Sequence, residues 1–152
     1  MGEISVTHNG TTRKLTSGAK AVPVSGPGTT NGWFIQAAST DMPIDSIRFA
    51  LSNRVLPEGG TYQGAELVTG TYTCDLVATV GKGVLIQYVK KLGQSDQETY
   101  QAGQGAGTCQ IELTQWGPAG QQAVGTFTAH VPKFGDATMA ADITGSFNVT
   151  RE

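Results

Sequence analysis

Only two histidines, His8 and His130, are available for acid–base or metal chemistry. Neither sits in an HExxH or HxH arrangement, so a metal set would need carboxylates from distant positions. His130 falls on the polar side of an alternating stretch and reads as a surface histidine. Ser25, in PVSGPG, is followed by glycine, but the GxSxG elbow and the helix behind it are missing. A hydrolytic triad would also need a histidine with an orienting acid. Carboxylates are more numerous, at twelve. Asp75 and Glu112 fall on outward positions of candidate strands, and a glycan hydrolase needs two such groups facing each other across a cleft. Asp41, Asp45, Asp136 and Asp142 sit in or near loops, where oxygen ligands suit calcium, yet no 12-residue calcium loop is present. No spacing specifies a catalytic residue or a metal-ligand set, and no cofactor is implied.

The aromatics point elsewhere. Trp33 follows a Gly-rich loop, and Trp116 ends a polar–apolar alternation just before Gly117-Pro118. Trp116 lies three residues after Leu113, so simple alternation predicts it outward. An outward tryptophan stacks on sugar rings or anchors a partner. Gln110, Thr114 and Gln115, with Gln121 and Gln122 beyond the turn, offer amides and hydroxyls around it. These groups match sugars or peptide backbones without a charged partner. Tyr62, Tyr72, Tyr88 and Tyr100 could supplement such a surface. Packing of Trp116 under a loop edge is the competing reading.

The elements that hold these residues are strands. Ile47, Phe49 and Leu51 alternate with Ser46, Arg48 and Ser52, and Ile111 and Leu113 alternate with Gln110, Glu112 and Thr114. Phe127, Ala129 and Val131, then Ile143, Phe147 and Val149, repeat the period of two that marks a half-buried strand. GTFTA and GSFNV share a Gly-polar-Phe pattern, read as two similar sheet positions. Asn9-Gly10 between EISVTH and TTRKL predicts a hairpin. Residues 23–32 and 57–70 read as loops, 92–107 as a long loop or hairpin tip, and 137–142 as a short turn. No window supports an amphipathic helix. The fold class expected is an antiparallel β-sandwich of about eight or nine strands, with a closed β-barrel as the alternative. One domain, 1–152, accounts for the length.

Cys74 and Cys109 both fall on apolar sides of strands in Gly-Thr contexts and fit neither a CxxC nor a zinc pattern. They are predicted to lie close enough for a disulfide, two buried free thiols being the alternative. Charged residues make up only 14% of the chain, the formal net charge is -2, and the basic pairs Arg13-Lys14 and Lys90-Lys91 are short. Nucleic acid is therefore not an expected partner. No apolar run reaches the length of a transmembrane helix. Asn9-Gly10-Thr11 and Asn148-Val149-Thr150 match the short glycosylation acceptor pattern.

The pieces GTYTC (70–74), GTCQIELTQW (107–116), VGTFTAHV (124–131) and ITGSFNV (143–149) resemble bacterial secreted or lipoprotein-like β-sandwich domains of uncharacterised function. The resemblance covers about half the chain, chiefly its C-terminal half, and rests on strand and turn grammar. It implies an all-β fold and a cell-envelope setting, and it carries over no catalytic residue. MGEISVTHNG shows neither a lipobox cysteine nor a basic-plus-apolar leader.

The expected function is non-catalytic recognition in a secreted, periplasmic or cell-surface setting. Carbohydrate or a protein surface is the partner, and homo-oligomerisation is compatible. The alternatives are a structural component of a surface assembly or virion, and a carboxylate-based glycan hydrolase.

Overall fold

The computed structural model describes residues 2–24, 32–55, 63–74, 81–103 and 105–152. Ser25, Tyr62 and Asp75 lie outside the described residues. Twelve strands are formed among the rest. They are β1 (Glu3–His8), β2 (Thr11–Leu15), β3 (Ser17–Pro23), β4 (Trp33–Ala38), β5 (Ser46–Val55) and β6 (Gln63–Ala65). β7 (Gly70–Cys74), β8 (Gly81–Lys90), β9 (Glu98–Ala102), β10 (Thr108–Trp116), β11 (Gln122–Lys133) and β12 (Asp136–Arg151) complete the set.

The all-β expectation holds, but the count of eight or nine strands is corrected. Three strands carry weak sequence signals. β3 alternates only small residues, Ala19 and Ala21. β6 is three residues long. β9 lies within the polar, Gly-rich stretch read as a loop, yet Glu98–Ala102 pairs along its whole length with β8. The turn expected at 137–142 is instead part of β12.

Pairing is mixed. One antiparallel group runs β2-β1-β12-β11-β10-β7. A second runs β3-β4-β5-β8-β9, with β6 on β5. Two parallel contacts of two residue pairs each join the groups. They are β12 to β3, at Thr150↔Lys20 and Arg151↔Ala21, and β7 to β8, at Thr73↔Gly83 and Cys74↔Val84. β11 also touches β9 at Lys133↔Tyr100. The pairings return on themselves through these short contacts, so the sheet is neither a clean two-sheet sandwich nor plainly a barrel.

The apolar sides of the two groups meet in one core. Ile4, Ile111, Phe127, Ile143 and Phe147 come from the first group, and Ile35, Ile47, Phe49, Leu51 and Ile86 from the second. Ile47, Phe49, Leu51, Ile111, Leu113, Phe127, Ile143 and Phe147, expected inside on alternation, are all buried. The Phe49 ring centroid lies 4.8 Å from Phe127 and 5.9 Å from Phe147, joining the groups at their centre.

The two Gly-x-Phe segments are register partners. Gly125 stands opposite Phe147, and Phe127 stands opposite Gly145. Each ring lies over the other strand's glycine. A methyl group at Gly145 would collide with the Ser5 carbonyl oxygen and sit 2.6 Å from Cζ of Phe127, and one at Gly125 would collide with the Glu112 carbonyl oxygen and sit 2.5 Å from Cζ of Phe147. A side chain at either glycine therefore displaces the neighbouring strand's backbone as well as a core ring, so the glycines are required by close approach rather than by backbone freedom.

The Asn9-Gly10 hairpin forms as expected. Asn9 (φ 52°) and Gly10 (φ 76°) both take positive φ, as a type I′ turn demands, and His8 faces Thr11 across it. Cys74 and Cys109 are bonded, with Cα atoms 5.0 Å apart. The register of β7 against β10 makes them direct neighbours across adjacent strands, since Thr73 pairs with Gln110.

Two consequences are measurable. Gly145→Ala will destabilise the domain by about 1–3 kcal/mol through overpacking, read by urea unfolding. A stability equal to that of the parent would refute the close approach of the Ser5 backbone and the Phe127 ring to Gly145. Replacing both cysteines by serine will lower stability by about 2–4 kcal/mol, because the unfolded chain regains the freedom of a loop of 35-residue separation. Adding a reductant to the parent protein should reproduce that shift and leave the double variant unchanged.

Candidate functional site

Trp116 does not point outward, because β10 departs from simple alternation. Leu113 pairs with Gly125, but Gln115 pairs with Val124, so Thr114 is the extra residue of a β-bulge. One added residue reverses the side on which every later side chain lies. Trp116 therefore returns to the inner side, opposite buried Ala123. It is half-buried and packs against the core. The Thr114 hydroxyl folds back to donate to the Val124 carbonyl at 3.1 Å.

Trp33, at the start of β4, is only 7% exposed. Its ring meets Trp116 edge to face with centroids 4.9 Å apart. The Arg151 guanidinium covers both rings, 4.4 Å from the Trp33 centroid and 4.6 Å from that of Trp116. Arg151 Nη2 meets Glu66 Oε1 at 2.7 Å, and Trp116 Nε1 donates to the same oxygen at 2.9 Å. Arg151 Nη1 donates to the Gly117 carbonyl at 2.9 Å. A largely desolvated cation on an indole face contributes about 2 kcal/mol. The arrangement clamps the C-terminal end of β12 onto the turn after β10. Gln115, Gln121 and Gln122 are exposed around this turn.

Gln110 belongs to a different place. It is six residues from Trp116 along β10, roughly 20 Å of extended chain. There it joins a row of outward side chains that crosses six strands: Thr73, Gln110, Thr128, Thr144, Thr7 and Thr12. A second row runs parallel to it: Thr71, Glu112, Thr126, Ser146, Ser5 and Lys14. Rows lie about 7 Å apart and neighbours within a row about 4.8 Å apart. Thr7 and Thr12 share a 2.6 Å hydrogen bond, and the Thr71 hydroxyl donates to Glu112. Among the described residues, the side chains of Gln110, Thr128 and Thr144 make no hydrogen bond.

A third, shorter row is Thr108, His130 and Asp142. His130 Nδ1 lies 2.6 Å from Asp142 Oδ1, both groups being exposed. Together with Gln110, Thr128 and Thr144 this row lines a shallow concavity of about 390 Å³. Alternation places Thr108, Gln110, Thr128 and His130 outward, whereas Asp142, expected in or near a loop, lies on β12. Alternation could not place them beside one another, because the pair His130–Asp142 depends on the register of the β11–β12 hairpin.

Asp41, Asp45 and Asp136 have structural partners. Arg13 bridges Asp41 at 3.1 Å and Asp45 at 2.7 Å, which puts a guanidinium between the two carboxylates. Asp45 is 6% exposed and also accepts the Lys91 amide at 3.2 Å. Asp136 accepts from both the amide and the hydroxyl of Thr138, and these bonds hold its carboxyl below the usual range. His8 stands edge-on to Tyr88 with centroids 6.1 Å apart. Burial lowers the His8 pKa, and Lys90 lowers it further, against the opposing charges of Glu98, Asp142 and Asp45. Burial raises the Tyr88 pKa, keeping the phenol neutral.

No protein-family model, curated protein or solved structure matches the chain.

The lowered His8 pKa sets a sign for pH dependence. The unfolded chain takes up the imidazole proton near 6.5, before the folded state does. Stability contributed at this residue is thus fully present above that pH and declines as the pH falls through it. His8→Gln should flatten the stability profile between about pH 7.5 and about pH 5. Urea unfolding across that window checks it, and an unchanged slope would refute the assignment.

Proposed function

We propose that this chain is a non-catalytic recognition domain that binds a carbohydrate or a protein surface in an extracellular or cell-envelope setting. The observation that carries this reading is the face of parallel polar rows on β7, β10, β11, β12, β1 and β2. A sheet paired on both edges of its central strands is a rigid scaffold, and its outward side chains are pre-positioned hydrogen-bonding groups. Gln110 lies within the face. Trp116, Thr114 and Gln115, with Trp33 behind them, form a second contact region at the far end of β10, where the Trp116 ring is half-exposed. The bonded cysteine pair supports an oxidising compartment, where disulfides persist.

A second reading, a component of a surface assembly, has one observation of its own. Phe134, at the tip of the β11–β12 hairpin, is 75% exposed, and an exposed aromatic at a hairpin tip suits a subunit contact.

A glycan array and a protein-binding screen will test the first reading on the parent domain and on Thr128→Arg, which sets a long cation in the middle of the face. The parent is expected to select a ligand, and the variant to bind it at least about tenfold more weakly, a loss of about 1.4 kcal/mol. Trp116→Phe keeps an aromatic ring in the second region and should alter affinity less. A turnover activity lost on changing His130 or Asp142 would overturn the non-catalytic reading. Binding unaffected by Thr128→Arg would remove the face from it.

A further inference from the structure

Resting on the recognition reading, we infer that the ligand of the polar face is a neutral, polyhydroxylated glycan chain lying across the strands. It would follow the free run Gln110–Thr128–Thr144 and be seated in the concavity beside Thr108 and His130. These three side chains stand on neighbouring strands β10, β11 and β12, in direct register. Each hydroxyl or amide both donates and accepts, as a sugar hydroxyl does. Their spacing of about 4.8 Å is close to the advance of one pyranose unit along an extended chain.

Other occupants fit less well. A protein partner binds through a few buried aromatic or aliphatic anchors, and the two long rows present hydroxyls, amides, Glu112 and Lys14 instead. A second copy cannot join by adding a strand here, because β10, β11 and β12 are paired on both edges. Nucleic acid and acidic glycans require several cations, and the two rows hold one lysine. His130 and Asp142, which flank the run, are turned onto each other at 2.6 Å. A rigid crystalline surface is also disfavoured. Sheet twist of about 20–25° per strand rotates successive hydroxyls out of any one plane, and a jointed chain can follow that rotation where a lattice cannot.

The test is native affinity electrophoresis with soluble polysaccharides. Glucomannan, xyloglucan and dextran serve as neutral probes, alginate and heparin as acidic ones. Retardation by at least one neutral polysaccharide is expected, and it should persist in about 0.5 M salt, where charge attraction is screened. Thr128→Val with Thr144→Val keeps the branched shape at exposed strand positions while removing both hydroxyls. This double variant should keep the parent melting temperature and bind about three- to tenfold more weakly. Binding only to acidic probes, or to a protein from the screen and lost in the double variant, would overturn the glycan assignment and leave the recognition reading standing. Neutral binding that survives in a folded double variant would overturn the placement on this run. Retardation by none of the probes would overturn the inference outright.

Discussion

The reciprocal seating of Phe127 over Gly145 and Phe147 over Gly125 is the contact on which the rest of this fold depends. It needs both glycines, because a side chain at either would occupy the space of a ring. It needs both phenylalanines, because a bare glycine in a strand leaves a gap in the layer above it. Once β11 and β12 are locked in this register, the inner sides of both long strands become one continuous apolar surface. Phe49 then closes against both rings from the opposite group. Burying each ring is worth roughly 1.5–3 kcal/mol, so three interlocked rings form a concentrated part of the core.

That register has consequences on the other side of the sheet. Side chains alternate, so fixing Phe127 against Gly145 also fixes Thr128 against Thr144, Thr126 against Ser146 and His130 against Asp142. The same lock that builds the core aligns the outer polar rows. β10, from Thr108 to Leu113, and β1 extend the rows because they pair in unbroken register on either side. The disulfide between Cys74 and Cys109 attaches β7 at the margin of this group, where its pairing with β8 is only a short parallel contact.

The two ends of the molecule are closed by different chemistry, and both use arginine. At one end, Arg151 lies on the faces of Trp33 and Trp116 and reaches Glu66. The ion pair with largely exposed Glu66 is worth little in water, so the stacked aromatic faces account for most of the stabilisation there. At the other end, Arg13 reaches across to Asp45, a nearly buried carboxylate that also accepts a backbone amide. Removing Arg13 would leave that charge buried without its cation, a more costly state than the loss of a surface pair. The delocalised, planar guanidinium suits both tasks, stacking at one end and forked hydrogen bonding at the other.

By itself, the sequence determined which residues lie inside and which turns reverse the chain. Ile47, Phe49, Leu51, Ile111, Phe127 and Ile143 declared themselves through a period of two, and Asn9-Gly10 through the backbone angles its turn requires. The proximity of Cys74 and Cys109 was legible because both sit on the apolar side of well-marked strands. These are local properties, carried by each residue's own neighbours. The tertiary structure alone decided register. The bulge at Thr114 turned Trp116 inward against the alternation that precedes it. The weak strands β3 and β9 formed because strong neighbours supplied their hydrogen bonds. Glu66, Trp116 and Arg151 met although they are far apart in the chain, and Thr128 met Gln110 and Thr144 from separate strands. Alternation says which side of a strand a residue occupies, but which residue stands beside it depends on pairings between distant segments, and a single extra residue is enough to change them.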